Sequence, residues 1–128
     1  MVRLNQEDFA QALGLPHTMK YERNGREGAK FDARTIASII NASATPAVMR
    51  EQIITATQFD LLIGNVDAHA KNFSLIHHRN GRVKFAPRYD LVPISLFDEF
   101  TDELAYHLGN ATTFKEVTAA NFDLFWGI

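Results

Sequence analysis

The chain has 128 residues, of which 46% are hydrophobic and 22% charged, and its formal net charge is −2 at pH 7. This length fits one domain or part of one, and the composition excludes an intrinsically disordered protein. The absence of cysteine excludes a disulfide scaffold and a thiolate metal site. No apolar run approaches the roughly 18 residues of a membrane-spanning helix, and the polar start does not resemble a signal peptide. We therefore expect a cytoplasmic protein with no membrane partner.

The charges are distributed unevenly. Residues 68–89 carry five Lys and Arg residues and no acid, and they lie between Asp67 and Asp90. Residues 90–128 carry seven acids against Lys115 alone. A basic block between two acids indicates a site for an anion, although a solvated basic hairpin would give the same pattern.

The first helix is predicted over about 5–13. Asn5 can serve as its N-cap, because Asp8 follows three residues later at the spacing of a capping box. Residues 15–31 are rich in glycine, asparagine and charge, which predicts an extended, mobile loop. Three side chains of that segment are expected to be loop residues only: Tyr21, Arg23 and Arg26.

Three more helices follow. Asp32 can cap the second, and Thr45-Pro46 is a strong start signal for the third. Apolar residues then recur at three- and four-residue intervals until Gly64, which predicts a long central helix. Thr118 can cap a final helix.

A β-hairpin is predicted between the third and fourth helices. The apolar-rich runs 73–78 and 82–86 are joined by Arg79-Asn80-Gly81, and Asn-Gly between such runs favours a tight turn. Residues 103–108 fit either a strand or a single helical turn. The predicted fold class is therefore mostly α with a small β-hairpin.

The end of the chain is unusually apolar. Five of the last seven residues are large and apolar, whereas chain ends are normally polar and frayed. We expect either that this end packs against another protein surface or that the chain is part of a longer one.

The loop after the central helix carries the candidate chemistry. Asp67 precedes Asn72 by five residues, which is the interval between the base and the metal-binding amide of the kinase catalytic loop. The hairpin then leads to Asp90, which follows a strand as the second metal-binding acid of kinases does. A hairpin returns the chain close to its origin, so Asp90 is expected beside Asn72.

Phosphoryl transfer explains why these residue types are needed. Asp67 would accept the proton of the attacking hydroxyl, while Asn72 and Asp90 would supply oxygen ligands to Mg²⁺. Lys71 could offset charge on the transferred group. His69 could act directly or brace the loop through its backbone. Two further histidines are expected on the hairpin surface rather than at a metal: His77 and His78.

Two motifs resemble a known family. Ile63-Gly-Asn-Val-Asp-Ala-His-Ala-Lys-Asn72 and Ala86-Pro-Arg-Tyr-Asp-Leu91 resemble the catalytic core of HipA-type serine/threonine kinases, the toxins of bacterial toxin–antitoxin pairs. The opening segment from Arg3 to Gly14, followed by Lys20-Tyr21-Glu22, is similar to the start of that family's C-terminal lobe.

The resemblance implies a kinase-like C-terminal lobe that is mostly helical. It implies that Asp67 is the catalytic aspartate and that Asn72 and Asp90 bind Mg²⁺ and thereby ATP. His69 and Lys71 match other positions of the same catalytic loop. The implied partners are a protein substrate, in known members an aminoacyl-tRNA synthetase, and a HipB-like DNA-binding antitoxin, with no direct contact to nucleic acid.

The family keeps its glycine-rich phosphate loop and nucleotide-binding lysine in an N-terminal lobe. Residues 1–128 contain neither, so we expect a single, incomplete domain that is inactive by itself. Two alternatives stay open: a non-catalytic binding module that acts through its last helix, and a metal-dependent hydrolase that uses Asp67, His69 and Asp90.

Overall fold

Helices and two small antiparallel sheets enclose an aromatic core in the computed structural model, which describes residues 5–88, 91 and 102–127. The helices of this part are α1 (Phe9–Ala12), α2 (Ala33–Ala42), α3 (Pro46–Ile63) and α4 (Ala119–Trp126). Its strands are β1 (Asn5–Asp8), β2 (Ser74–His77), β3 (Val83–Phe85), β4 (Glu103–Leu108) and β5 (Ala111–Thr113). The mostly helical class with a hairpin is confirmed, and β1, β4 and β5 add strands that the sequence left undecided or missed.

The N-terminal segment differs from its prediction. Residues 5–8 form strand β1, which pairs antiparallel with β2 from Asn5 opposite His77 to Asp8 opposite Ser74. Helix α1 therefore starts later and spans one turn, capped by Asp8 rather than Asn5. The Asp8 carboxylate accepts from the Gln11 N–H at 2.8 Å, and the Gln11 side chain accepts from the Asp8 N–H at 2.9 Å. Pairing with β2 overrode the local capping signal at Asn5.

The predicted hairpin is confirmed. Strand β2 pairs with β3, with Leu75 opposite Phe85 and His77 opposite Val83. Beyond β3 the Ala86 N–H donates to the Ser74 carbonyl at 2.8 Å. The hairpin therefore brings the chain after β3 back to the residues at which β2 begins.

Helices α2 and α3 begin where the sequence predicts. Asp32 and Thr35 form a reciprocal capping box at α2, and Thr45 precedes Pro46 at the first position of α3. Helix α3 ends at Gly64, whose φ of 73° is the left-handed conformation that glycine adopts without strain. This turn sends the chain directly into the candidate loop.

The segment 15–31 is folded rather than extended. It contains two short 3₁₀ helices, His17–Met19 and Glu22–Asn24, and Met19 is buried. Arg26 and Ala29 exchange two backbone hydrogen bonds of 3.1 and 2.8 Å. The glycine-rich composition here supports tight turns against the protein surface.

Residues 103–108 form strand β4, which settles the choice that the sequence left open, and Thr118 caps α4 through Asn121. Aromatic rings from distant parts of the chain meet between these elements, with neighbouring centroids 5.4 to 6.5 Å apart. They are Phe9, Phe31, Phe73, Tyr106 and Phe125, all buried. This core supports α1, β2 and the loop between α3 and β2.

Within the described ranges, every helix is too short or too polar to cross a bilayer.

Candidate active site

The candidate loop runs from Gly64 to Asn72, between α3 and β2. Its alternate residues Val66, Ala68 and Ala70 are buried. They anchor the loop on the core, whereas the Asp67 side chain between them stays partly exposed. A loop that is anchored on the core and leaves a carboxylate accessible is the arrangement that catalysis by a general base needs.

Hydrogen bonds close the loop on itself. The Asp67 backbone carbonyl accepts from the Asn72 side-chain Nδ2 at 2.8 Å and from the His69 N–H at 2.9 Å. Residues 70–72 then form a single 3₁₀ turn. The five-residue spacing therefore has a structural meaning, because the Asn72 amide bridges back to the backbone of Asp67.

His69 directly precedes this turn as its N-cap and is buried. Its Nδ1 accepts from the Lys71 N–H at 3.2 Å, and its ring meets the Tyr21 ring edge-on at 5.1 Å. The backbone contact fits the interpretation that His69 braces the loop. A direct catalytic role for His69 stays a prediction.

Lys71 forms an ion pair at the far side of the loop. Its Nζ lies 3.0 Å from the Asp8 carboxylate, and both side chains are partly shielded from solvent. The pair ties the loop to the junction of β1 and α1. Its proposed effect on phosphoryl charge stays a prediction.

The metal-ligand prediction concerns Asn72 and Asp90. The Asn72 side chain is buried and its Nδ2 is bonded to the Asp67 carbonyl, so Oδ1 is the atom that it can present to a cation. An amide oxygen suits Mg²⁺, which prefers hard oxygen ligands. Asp90 lies outside the described residues, so its predicted position beside Asn72 is untested. Within 5–88, 91 and 102–127, no three His, Asp or Glu side chains form a cluster suited to a metal ion.

Tyr21 is the site residue that the sequence reasoning missed. Its hydroxyl donates to the Asp67 carboxylate across 46 positions of sequence. Burial, the hydrogen bond to Asp67 and the negative charge of Asp67 together raise the pKa of Tyr21 to about 12. The phenol therefore stays protonated at neutral pH. The one available signal was its place in the Lys20-Tyr21-Glu22 segment that resembles the kinase family.

A second polar cluster lies beneath the site. Asp60 of α3 pairs with Arg88 at 2.9 Å and accepts from the Asn65 side chain at 3.1 Å. Arg88 also lies 4.4 Å from the centre of the Phe73 ring. Burial raises the pKa of Asp60 although Arg88 and Asn65 oppose that shift. Because Arg88 is two residues before Asp90, this cluster anchors the start of the segment that carries the predicted metal ligand.

The basic block divides into two groups. Arg79, Arg82 and Lys84 are exposed on the hairpin, which fits a solvated basic surface. Lys71 and Arg88 instead pair with carboxylates of other elements. His77 lies 3.0 Å from Glu7 and is partly exposed, in agreement with its expected place on the hairpin.

A family model and two curated relatives match most of the chain. The family model of the HipA-like C-terminal domain matches residues 2–125. The chain is 35% identical over 123 residues to "Putative kinase Y4mE" of Sinorhizobium fredii. It is 32% identical over 114 residues to "Serine/threonine-protein kinase toxin HipA" of Shewanella oneidensis. These alignments cover 96% and 82% of the chain.

The fold is similar to a solved structure as well. In the complex of HipA, HipB and operator DNA from Shewanella oneidensis, one chain matches with a TM-score of 0.87 and 28% identity over 98% of this chain. The matched region is 31% of that chain, and the chain spans 28% and 26% of the two sequence relatives. The match over nearly every residue, including the loop of Asp67 and Asn72, leads to one conclusion: the chain belongs to the HipA-like C-terminal domain family.

Proposed function

We propose that this chain is the catalytic-lobe part of a HipA-like protein serine/threonine kinase, which transfers the γ-phosphate of ATP to a protein hydroxyl. The observation that carries the proposal is the Asp67 carboxylate, held partly exposed on a loop that Asn72 closes. Membership of a family with a named serine/threonine kinase toxin supports it.

In the proposed reaction Asp67 accepts the proton of a serine or threonine hydroxyl. The hydroxyl oxygen forms a bond to the γ-phosphorus as the bond to the ADP oxygen breaks. Asn72, together with Asp90, would hold Mg²⁺, which neutralises phosphate charge when it is bound. His69 and Lys71 would maintain the loop that positions these groups, through the contacts to the Lys71 N–H and to Asp8.

The direct test is Asp67→Asn in the complete protein that contains this chain, assayed with γ-labelled ATP. Candidate acceptors are the protein itself and purified aminoacyl-tRNA synthetases. We expect the rate to fall about 1,000-fold, within the range for loss of a general base. Asp123→Asn, a matched change at an exposed position of α4, should transfer phosphate at the wild-type rate. Unchanged transfer by Asp67→Asn would contradict the proposal.

The metal proposal has its own test. Asp90→Ala should abolish Mg·ATP-dependent transfer, and Asn72→Leu should raise the Mg²⁺ concentration that gives half of the maximal rate. Titration of each variant with Mg²⁺ at saturating ATP measures both effects. An Asp90→Ala variant with a normal Mg²⁺ response would remove Asp90 from the site.

A HipB-like DNA-binding antitoxin is the proposed partner in the cytoplasm. The support is the matched structure, in which HipA is assembled with HipB and operator DNA. Size-exclusion chromatography of the complete protein mixed with a HipB-like protein should yield a joint peak. Separate elution at micromolar concentration would argue against this partner.

A non-catalytic binding module is the second candidate function. It is favoured by apolar side chains on the outer face of α3: Val48, Phe59 and Leu62 are 53%, 46% and 85% exposed. A contiguous exposed apolar patch can mark an interaction surface. In the last helix, Phe125 is buried in the core whereas Leu124 is 58% exposed, so a role for this helix in binding stays a prediction. Wild-type protein that binds a partner but transfers no phosphate would favour the module.

A further inference from the structure

The segment Lys20–Arg23 contacts the candidate loop from a part of the chain almost fifty residues earlier. The Ala70 N–H donates to the Lys20 carbonyl at 2.9 Å, which fixes the backbone of the segment against the loop. Tyr21 then reaches Asp67 with its hydroxyl. The contact is therefore built from both the main chain and a side chain.

The Tyr21 ring is held on two sides. The His69 ring meets it edge-on at 5.1 Å, and the Arg23 guanidinium lies 4.0 Å from its centre. Arg23 is itself paired with Glu103 of β4 at 3.2 Å. With the ring enclosed in this way, the direction of the hydroxyl is set by packing and does not depend on Asp67 alone.

The same segment is attached to β4 through Glu22. The Glu22 carboxylate accepts from the His107 N–H at 3.1 Å and pairs with the His107 ring. Glu22 and Arg23 therefore bind β4 while Lys20 and Tyr21 bind the loop. This segment bridges a core strand and the candidate base.

We infer that Tyr21 is a positioning residue that orients the Asp67 carboxylate for proton transfer. Its hydroxyl engages Oδ1, and a carboxylate has acceptor capacity to spare on both oxygens. The torsion of the Asp67 side chain is thereby fixed while Oδ2 remains able to accept from the substrate hydroxyl. Displacement of a reacting group by about 1 Å can cost about 100-fold in rate.

This inference rests on the proposed kinase function. Its test is Tyr21→Phe in the complete protein, with Tyr106→Phe as the matched control. Tyr106 is buried and its hydroxyl bonds Thr57 at 2.7 Å, remote from Asp67 in the hydrogen-bond network. Tyr21→Phe should lower kcat 10- to 100-fold and leave the KM for ATP within about twofold. Tyr106→Phe should lower the unfolding temperature and leave kcat unchanged.

The split between kcat and KM separates positioning from a structural role. Wild-type kcat in Tyr21→Phe overturns the inference, and so does a fall that Tyr106→Phe reproduces. Asp67→Asn, assayed in parallel, keeps the two proposals distinguishable. If Asp67→Asn loses transfer while Tyr21→Phe retains it, the kinase proposal stands and the inference alone fails. If the wild-type protein transfers no phosphate, both fail.

Discussion

Two aspartates seven residues apart, Asp60 and Asp67, occupy opposite environments. Asp60 is 4% exposed and pairs with Arg88 at 2.9 Å, so each charge has a buried partner. Asp67 is partly exposed and its side chain contacts the neutral Tyr21 hydroxyl. The Asp60 carboxylate is buried among Arg88 and Asn65, whereas the Asp67 carboxylate is accessible to a reactant. On this difference we expect Asp60 to contribute to stability, whereas Asp67 is the residue proposed to act in catalysis.

The largest expected effect is the loss of phosphotransfer activity when Asp67 is replaced. Asp67→Asn should lower phosphotransfer about 1,000-fold, while the unfolding free energy of the complete protein should fall by about 1 kcal/mol or less, because only one partly exposed hydrogen bond is weakened. The measurement is a transfer assay beside a denaturant titration of the same preparation. A loss of stability as large as that of an Asp60 variant would erase the distinction.

The next effect breaks the buried pair. Arg88→Ala leaves the Asp60 carboxylate buried without its cation, so we expect a loss of about 3–5 kcal/mol in unfolding free energy. The double variant Asp60→Leu/Arg88→Met removes both charges and should recover most of that loss, because buried ion pairs can often be replaced by apolar groups. Denaturant titrations of the wild type, of Arg88→Ala and of the double variant measure these changes in unfolding free energy. A double variant as unstable as Arg88→Ala would contradict the pairing argument.

A smaller effect on stability is expected at alkaline pH, where Tyr21, the partner of Asp67, loses its proton. Since the pKa of Tyr21 is raised to about 12 in the folded protein, its stabilising contribution is complete below pH 10 and is lost as the pH rises towards 12. Burial and the nearby Asp60 charge also raise the pKa of Tyr106, which acts in the same direction. The contribution of Tyr21 to the unfolding free energy should be on the order of 1 kcal/mol, after allowance for the partial exposure of its side chain.

The phenolate absorbance of wild type minus that of Tyr21→Phe reports the Tyr21 ionisation. In the Asp67→Asn background the pKa of Tyr21 should fall, because the negative charge is lost and the hydroxyl can donate only to a neutral amide oxygen, while burial remains. An unchanged titration would mean that Asp67 and Tyr21 do not interact in solution.

The smallest effect concerns Asp8, which both caps α1 and pairs with Lys71. Asp8→Ala removes both interactions and should cost about 1 kcal/mol, whereas Asp8→Asn keeps a capping oxygen and should cost a few tenths. Thermal unfolding of the two variants distinguishes them. Equal losses would show that the ion pair, rather than the cap, fixes this junction.

Local signals in the sequence located the long helix, the hairpin and the final helix, because proline, glycine and capping residues act over a few positions. Asp67 and Asn72 were found for the same reason, since a bond spanning five residues leaves a spacing to read. Strand β1 and the Tyr21 contact were missed, because each depends on partners 46 or more positions away. The buried pair of Asp60 and Arg88 was not predicted, because the two residues are 28 positions apart in sequence.

The pairing of β1 with β2 has a consequence for how this protein acquires its site. Asp8 lies opposite Ser74, and the Phe9 N–H bonds the Phe73 carbonyl at 2.8 Å, so the exit of the candidate loop is fixed by strand β1 and the residue after it. Contacts between such distant residues form late, because the cost of closing the intervening loop comes before any gain. We therefore expect the Asp67 loop to reach its final geometry only after β2 has paired with β1.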